Sequence, residues 1–225
     1  MLIIRNLSIF VEKKEVVTNF SLEVLPGSLH LLTGPNGVGK SSIVQALLGN
    51  PAYVTSGGYV TFQNQDVLSL ASHERVRKGL FVVQQEVVSF PGFSVAAYLK
   101  AVHEALCKEM LNIQDFLEQV KVVFTDVGLD HSFIERSVYE GFSGGQKKRF
   151  ELAQVMLFQP QCVIFDEIDA GLDQEGQQLL IAVIQKMRSK NTQFAALFIS
   201  HNLDLYTIFK DIIVHQLLRP VIPQD

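Results

Sequence analysis

The chain has 225 residues, of which 48% are hydrophobic and 19% are charged, and its formal net charge at pH 7 is -4. A chain of this length can bury a sizeable core without disulfides or a structural metal, and the length favours one domain or a core with a subdomain. The mildly acidic balance argues against a protein dedicated to nucleic-acid binding, because such proteins carry basic patches.

The cysteines and the apolar segments indicate a soluble protein in a reducing compartment. Cys107 and Cys162 are too few and too far apart for a disulfide scaffold or a four-ligand zinc site. The N-terminal apolar run ends before Arg5 and is too short for a signal sequence, and no later run approaches the roughly 18 residues of a membrane span. We therefore expect a cytoplasmic protein.

Apolar runs alternate with helical patterns along much of the chain. The runs at Leu2–Val11, 16–24 and Tyr59–Phe62 alternate in polarity, which predicts an antiparallel β flank. Other runs are short and mainly apolar and predict buried strands of a largely parallel sheet, namely Leu29–Thr33, Leu80–Val83, 162–165, Ala195–Ile199 and 212–214. Together they predict the α/β fold class.

Residues from about 95 to 140 carry few strand signals and predict a helical subdomain inserted in a single domain of residues 1–225. Its predicted apolar faces are formed by Tyr98, Val102, Ala105 and Leu106 and by Phe116, Val120, Val123 and Phe124. His103 and Cys107 lie four residues apart, but two ligands do not make a metal site, so we interpret them as packed or solvated. Cys162 is interpreted as a core thiol.

The phosphate-binding loop pattern is matched by Gly34-Pro35-Asn36-Gly37-Val38-Gly39-Lys40-Ser41-Ser42. The pattern lies between a predicted strand and a predicted helix at 41–48, which is the context it requires. Its glycines let backbone N–H groups turn inward, and the helix adds its positive end, so the loop can cradle phosphates. Lys40 is then expected to reach the β and γ phosphates, and Ser41 to bind Mg²⁺.

A second candidate element is the apolar strand that ends in Asp166 and Glu167. Both carboxylates are expected at the carboxyl edge of the sheet, beside the phosphate loop. Asp166 is the candidate Mg²⁺ ligand, and Glu167 is the candidate for polarising the attacking water. The sequence therefore predicts an ATP-hydrolysing enzyme with ATP and Mg²⁺ as cofactors.

The run Phe142–Arg149 resembles the signature motif of ATP-binding cassette (ABC) ATPases. By itself Ser143 is an ordinary helix N-cap. The resemblance implies that Ser143, Gly144 and Gly145 contact the ATP of a second copy in an ATP-dependent homodimer. It also implies a P-loop NTPase core of ABC type, with Gln85 sensing Mg²⁺, a loop at 170–173 after the acids, and His201 as the switch histidine.

Among cassette ATPases the sequence looks most similar to the SufC family of iron-sulfur cluster assembly. The resemblance is carried by Ser56–Phe62, by the segment from Gly79 to Gly92 and by Arg136–Arg149 with its lysine pair. It implies partners similar to the scaffold proteins SufB and SufD, and a pairing of Lys148 with Glu167 that restrains the resting monomer. For Lys148 a solvated helix charge is the alternative.

The sequence also departs from these patterns. Many transport cassettes carry an aromatic residue that stacks on adenine, and the corresponding position here is about Val11, with Phe10 beside it. In the signature run, Gln146 stands where the SufC family usually has Glu. Pro220 and Pro223 discourage another central strand, where the family normally continues through a hairpin and a terminal helix.

Three functions remain open at this stage. The first is a SufC-like ATPase that drives conformational change in a cluster scaffold, and the alternative is the nucleotide-binding subunit of an ABC membrane transporter. A small-molecule kinase is disfavoured because it has no use for the signature run or His201. In either cassette protein, the apolar segment 87–93 is expected to contact partners or to pack on the helical subdomain.

Overall fold

The computed structural model describes residues 1–107 and 112–218, with only the backbone of Cys107. It contains two compact units. The first comprises Met1–Val83, Gln161–Glu167 and the chain from Asn191 onward, and the second comprises Gln84–Pro160 and Ile168–Lys190. The second unit is therefore larger than the predicted insertion at 95–140, because it also includes the signature helix and the helix after the acidic pair.

A parallel five-stranded sheet runs through the first unit. Its strands are β3 (Leu29–Thr33), β7 (Leu80–Val83), β10 (Cys162–Asp166), β11 (Ala195–Ile199) and β12 (Ile213–Gln216), in the order β12-β3-β11-β10-β7. The runs predicted as β10 and β11 are buried throughout, as strands with two covered faces must be. The prediction of a buried strand at 212–214 is wrong. Val214 is 54% exposed because β12 is an edge strand.

The antiparallel flank is a second sheet of the same unit. It contains β1 (Leu2–Val11), β2 (Lys14–Val24), β4 (Tyr53–Ser56), β5 (Tyr59–Phe62) and β6 (Gln65–Asp66). β1 pairs with β2, β4 and β5, always antiparallel. The sequence did not predict β4 and β6, which are too short to show a polar-apolar alternation.

Three helices complete the first unit, namely α1 (Lys40–Leu48), α2 (Ser72–Arg77) and α7 (Leu203–Tyr206). Ile43, Val44 and Leu47 of α1 are buried in one apolar core with residues of both sheets. The thiol of Cys162 belongs to this core, as predicted, and burial raises its pKa to about 12.

The second unit is mainly helical. It contains α3 (Val95–Cys107), α4 (Ile113–Asp126), a 3-10 turn (His131–Glu135), α5 (Gly144–Phe158) and α6 (Gln174–Lys190), with a small ribbon of β8 (Phe90–Ser94) and β9 (Ser137–Val138). Phe116, Val120 and Phe124 are buried, as the pattern of α4 predicted. In α3, Val95 and Leu99 are fully buried, whereas Ala105, which was predicted on the apolar face, is exposed. The apolar face of α3 was therefore predicted with the wrong orientation around the helix axis.

Several predictions concern parts of the chain outside this description. The structure does not describe the side chain of Cys107, which was interpreted with His103. It also does not describe Pro220 and Pro223, which were predicted to discourage a further strand. Within residues 1–107 and 112–218, no three His, Cys, Asp or Glu side chains form a group suited to a metal ion. In the same part of the chain, no helix combines the length and the hydropathy needed to span a bilayer.

Candidate active site

The phosphate loop, residues 34–39, joins the end of β3 to the start of α1. Gly34 and Gly39 are required by close backbone approaches. A Cβ on Gly34 would lie 2.4 Å from the carbonyl oxygen of Leu217, and a Cβ on Gly39 would lie 2.8 Å from the carbonyl oxygen of Val16. Gly39 also has a φ of 110°, a conformation that L side chains rarely adopt.

The start of α1 is open to an incoming anion. The N-cap position is Gly39, which has no side chain to accept from the N–H groups of the first turn. Pro35, Asn36, Gly37 and Ser41 are exposed, Ser42 is half-buried, and Val38 is packed inward at 5% exposure. The loop therefore presents backbone donors and hydroxyls to solvent while Val38 anchors it.

Lys40 is folded back onto its own loop. Its Nζ donates hydrogen bonds to the carbonyl oxygens of Gly34, at 2.8 Å, and of Pro35, at 3.1 Å, and the residue is only 5% exposed. Burial lowers the pKa of Lys40, and the carboxylates of Glu167 and Asp166 oppose this change. The ammonium group thus lies over the loop that is expected to hold phosphates.

Asp166 ends β10 as a buried carboxylate, 4% exposed. Burial, and then the neighbouring Glu167, raise its pKa to about 6, whereas Lys40 acts in the opposite direction. Its Oδ1 is buried and has no hydrogen-bond partner among the described residues. Because an unsatisfied buried carboxylate oxygen is costly, this atom is suited to a ligand, and a hard cation such as Mg²⁺ prefers such oxygen donors.

Glu167 and His201 follow neighbouring strands and lie close together. The N–H of Glu167 donates to the carbonyl oxygen of Ile199 at 2.9 Å, and Glu167 has a left-handed φ of 52°. Its Oε1 lies 3.7 Å from Nε2 of His201. Parallel pairing of β10 with β11 therefore brings the predicted water-polarising carboxylate and the predicted switch histidine to the same edge of the sheet.

The signature residues form the N-terminus of α5 in the second unit. Oγ of Ser143 accepts from the N–H of Gln146 at 3.2 Å, and the N–H of Ser143 donates to Oε1 of Gln146 at 2.8 Å, which makes a capping box. Gln146 therefore performs the reciprocal capping that a Glu performs at this position. The N-cap predicted at Ser143 is confirmed.

A pocket of about 310 Å³ adjoins this helix start. It is lined by Ser143 and Gly145 together with Lys148, Gly171 and Asp173, so the loop after the acidic pair and the signature helix share one pocket. The ammonium group of Lys148 donates to the carbonyl oxygen of Ala170 in that loop. Its pairing with Glu167 stays a prediction.

The predicted site residues fall into two sets. The first unit holds the phosphate loop, Asp166, Glu167 and His201, and the second holds Gln85 and the signature residues 143–145. Gln85 is exposed in the segment that precedes β8.

Two residues of the first unit stand out in the structure but were not singled out as site residues from the sequence. Arg75 is 6% exposed and donates to the carbonyl oxygens of Ala46 and Leu47 at the C-terminal end of α1. Tyr53 of β4 lies directly opposite Val11 in the register of β1, so an aromatic side chain is present beside the position at which the sequence lacks one. The sequence indicates this role of Arg75 only weakly, since a basic residue that binds the C-terminal carbonyls of a distant helix has no fixed sequence separation from that helix.

Comparison with known proteins supplies the family. Residues 17–170 match the model of the ABC transporter family. Vegetative protein 296 of Bacillus subtilis is 34% identical over 97% of this chain and 84% of its own length. A probable ATP-dependent transporter of Synechocystis, slr0075, is 35% identical over 89% of this chain and 79% of its own length. The chain therefore belongs to the ABC transporter family, and it is an ABC ATPase.

Solved structures confirm the predicted fold class. A dimeric post-hydrolysis structure of the cassette MJ0796, bound to ADP and Pi, superposes with a TM-score of 0.81 over 97% of both chains, at 16% identity. A nucleotide-free cassette from an ABC transporter superposes with a TM-score of 0.75 over 97% of this chain and 89% of that one, at 21% identity. The similarity at such low identity demonstrates the shared α/β cassette fold.

Proposed function

We propose that the chain binds ATP with Mg²⁺ on the phosphate loop and hydrolyses it with Glu167 and His201. The observation that carries the proposal is the buried Oδ1 of Asp166, which has no hydrogen-bond partner among the described residues. The hydroxyl of Ser41 and the carboxylate of Asp166, both in the first unit, supply oxygen donors of the kind that suits Mg²⁺. The role of Gln85 as a further Mg²⁺ ligand is proposed from the family resemblance alone. When bound, the ion neutralises phosphate charge.

The roles of the other residues follow from their chemistry. Lys40 exchanges the carbonyls of Gly34 and Pro35 for the β and γ phosphates, which are stronger acceptors for an ammonium group. Residues 34–39 and the first turn of α1 supply N–H donors to the same phosphates. Glu167 accepts a hydrogen bond from the attacking water and orients it, and His201 holds this carboxylate in place.

The second half of the site is proposed to come from another copy of the chain. Ser143, Gly144 and Gly145 are exposed, and a Cβ added at either glycine would meet no atom within 4 Å. Packing within the chain therefore does not require glycine here, whereas close approach of a phosphate to the helix start does. ATP would then join the phosphate loop of one chain to the signature residues of its partner.

We further propose that the energy of hydrolysis is used on a partner similar to SufB or SufD. Support comes from the resemblance to the SufC family of the segment from Gly79 to Gly92, which contains Gln85, and of the signature run with its lysine pair. The segment 87–93 offers a surface for such a partner, since Val88 is 73%, Phe90 46% and Phe93 40% exposed. The rings of Phe90 and Phe93 pack on the ring of Tyr98, and these contacts hold the two exposed rings in place.

A membrane transporter subunit is the second candidate, and the names of several relatives favour it. The Synechocystis relative and relatives from Streptococcus pyogenes are described as probable transporters or as ATP-binding proteins of ABC transporters. In this case the segment 87–93 would contact membrane subunits.

Affinity purification of the tagged full chain from its native cell separates the two. Soluble proteins that carry iron or sulfide support the cluster-assembly proposal, and integral membrane proteins support the transporter. Phe90→Glu and Phe93→Glu should reduce recovery of the partner without changing the melting temperature. Val122→Glu, a control at another exposed apolar position of the same unit, should leave recovery unchanged. If partner recovery is unchanged while the melting temperature falls, the two rings are part of the core.

A further inference from the structure

β12 is held on the sheet by few side chains. Among the residues that the structure describes it pairs only with β3, in the register that places Ile213 opposite His30 and Gln216 opposite Thr33. Ile213 and Val214 are 44% and 54% exposed, so apolar burial does little to seat the strand. His215 and Leu217 are the residues of this segment that face inward, and Leu217 packs against the core.

His215 is fixed by a chain of hydrogen bonds that ends at the backbone. Nε2 of His215 lies 2.8 Å from Nδ1 of His30, whose own Nε2 lies 2.7 Å from Oγ of Ser28. The Ser28 hydroxyl donates to the carbonyl oxygen of Leu25. Since that hydroxyl has one hydrogen, it accepts from His30, and a neutral His30 then accepts from His215. Burial, and then His215, lower the pKa of His30 to about 4, which keeps it neutral.

The same strand leads directly to the phosphate loop. The N–H of Leu217 donates to the carbonyl oxygen of Thr33 at 2.8 Å. The carbonyl oxygen of Leu217 lies against Gly34, only 2.4 Å from the place of a Cβ. Gly34 in turn accepts from Nζ of Lys40. The position of β12 thus bounds the space available to the first glycine of the loop.

We infer that His215 is a positioning residue for the phosphate loop, which acts by seating β12 so that the Leu217 carbonyl supports Gly34. The inference rests on the proposed function, because it concerns the affinity of this loop for phosphates. Loss of the hydrogen bond to His30 lets β12 move away from β3, and Gly34 loses its support. Nucleotide affinity then falls, while turnover of bound ATP changes little, because Glu167 and His201 lie after β10 and β11.

The test compares His215→Phe, which keeps a ring but has no donor, with His215→Gln, whose amide nitrogen can replace Nε2. The Phe variant should raise the Kd for Mg-ADP and the KM for ATP roughly three- to tenfold, the value of one hydrogen bond, with kcat nearly unchanged. In the Gln variant, the Kd for Mg-ADP and the KM for ATP should be close to those of the unmodified chain. Val214→Ala, an exposed control on the same strand, should leave them unchanged.

A lower melting temperature of the Phe variant with an unchanged Kd would overturn the inference, and so would equal defects in the Phe and Gln variants. Hydrogen exchange of the unmodified chain gives a second test. Because coupling is reciprocal, Mg-ADP should slow exchange of the Leu217 amide, and unchanged exchange would contradict the inference. If the unmodified chain bound no Mg-ADP at all, the proposed function itself would fail, which is a different result.

Discussion

Nε2 of His201 lies 3.7 Å from Oε1 of Glu167, at the carboxyl edge of the parallel sheet. The distance is longer than a hydrogen bond, so this nitrogen and this oxygen are not hydrogen-bonded to each other. The histidine is nevertheless close enough to orient the carboxylate. His201 has a side chain that is 43% exposed, whereas that of Glu167 is 22% exposed. Glu167 is therefore the more enclosed member of the pair and His201 the more accessible one.

His201→Ala should lower ATP turnover by roughly a hundredfold, because a carboxylate that is no longer oriented positions the water poorly. Binding of Mg-ADP should change little, since the phosphate loop is not altered. Steady-state hydrolysis and calorimetry measure the two effects. His73→Ala, an exposed histidine of α2, serves as the control. Full turnover in His201→Ala would remove this residue from the mechanism.

The proposed shared site predicts a dimer that depends on ATP. Sedimentation of the Glu167→Gln variant should give a dimer with Mg-ATP and a monomer or weak dimer without it, because ATP bound between copies stabilises the assembly by mass action. Ser143→Arg should abolish this dimer, since the arginine fills the space of the bound phosphate. Ser189→Arg, at an exposed serine of α6, should not. A stable dimer indifferent to nucleotide would contradict the shared site.

Lys148 is predicted to restrain hydrolysis in the isolated subunit. Its ammonium group donates to the carbonyl oxygen of Ala170, in the loop that follows the acidic pair. If Lys148 also pairs with Glu167 at rest, Lys148→Ala and Lys148→Gln should raise basal ATPase activity severalfold, an effect within the roughly 0–1 kcal/mol of an exposed ion pair. Lys147→Ala is the neighbouring control. Equal activities of the variants at the two positions would remove the restraint.

Arg75 should contribute strongly to stability. Its guanidinium group donates to the carbonyls of Ala46, Leu47 and Leu70, and burial lowers the pKa of Arg75. Arg75→Met keeps much of the apolar stem but removes the guanidinium donors to the carbonyls of Leu47 and Leu70, whereas the Ala46 carbonyl still accepts from the N–H of Gly49. This loss should lower the free energy of unfolding by about 2–4 kcal/mol. Urea unfolding measures the change. Arg77→Met, at an exposed position, should cost far less, and equal losses would refute this role.

The sequence predicted what short-range patterns determine. β3 and β11 were predicted with their observed bounds, because strands buried on both faces are mainly apolar. β8 was interpreted only as an apolar segment, since it contains Pro91 and Gly92 and its partner β9 has two residues. α6 was not identified as a separate element, although it has 17 residues.

The candidate site was predictable as a list of residues but not as an arrangement. The loop pattern and the acidic pair identified Lys40, Asp166 and Glu167. No pattern in the sequence indicates that Lys40 rests on its own loop carbonyls or that Leu217 lies against Gly34. The contact of Leu217 depends on how β3 pairs with a strand more than a hundred residues away, which local spacing does not encode.

The central claim is that this chain hydrolyses ATP with Glu167 as the group that polarises the attacking water. The most direct measurement is phosphate release from Mg-ATP by the unmodified chain and by Glu167→Gln, together with the Kd of each for ATP. We expect the variant to retain ATP affinity and to lose hydrolysis by at least about a hundredfold, because the amide no longer accepts the proton of the water. Equal turnover by the two proteins would contradict the account.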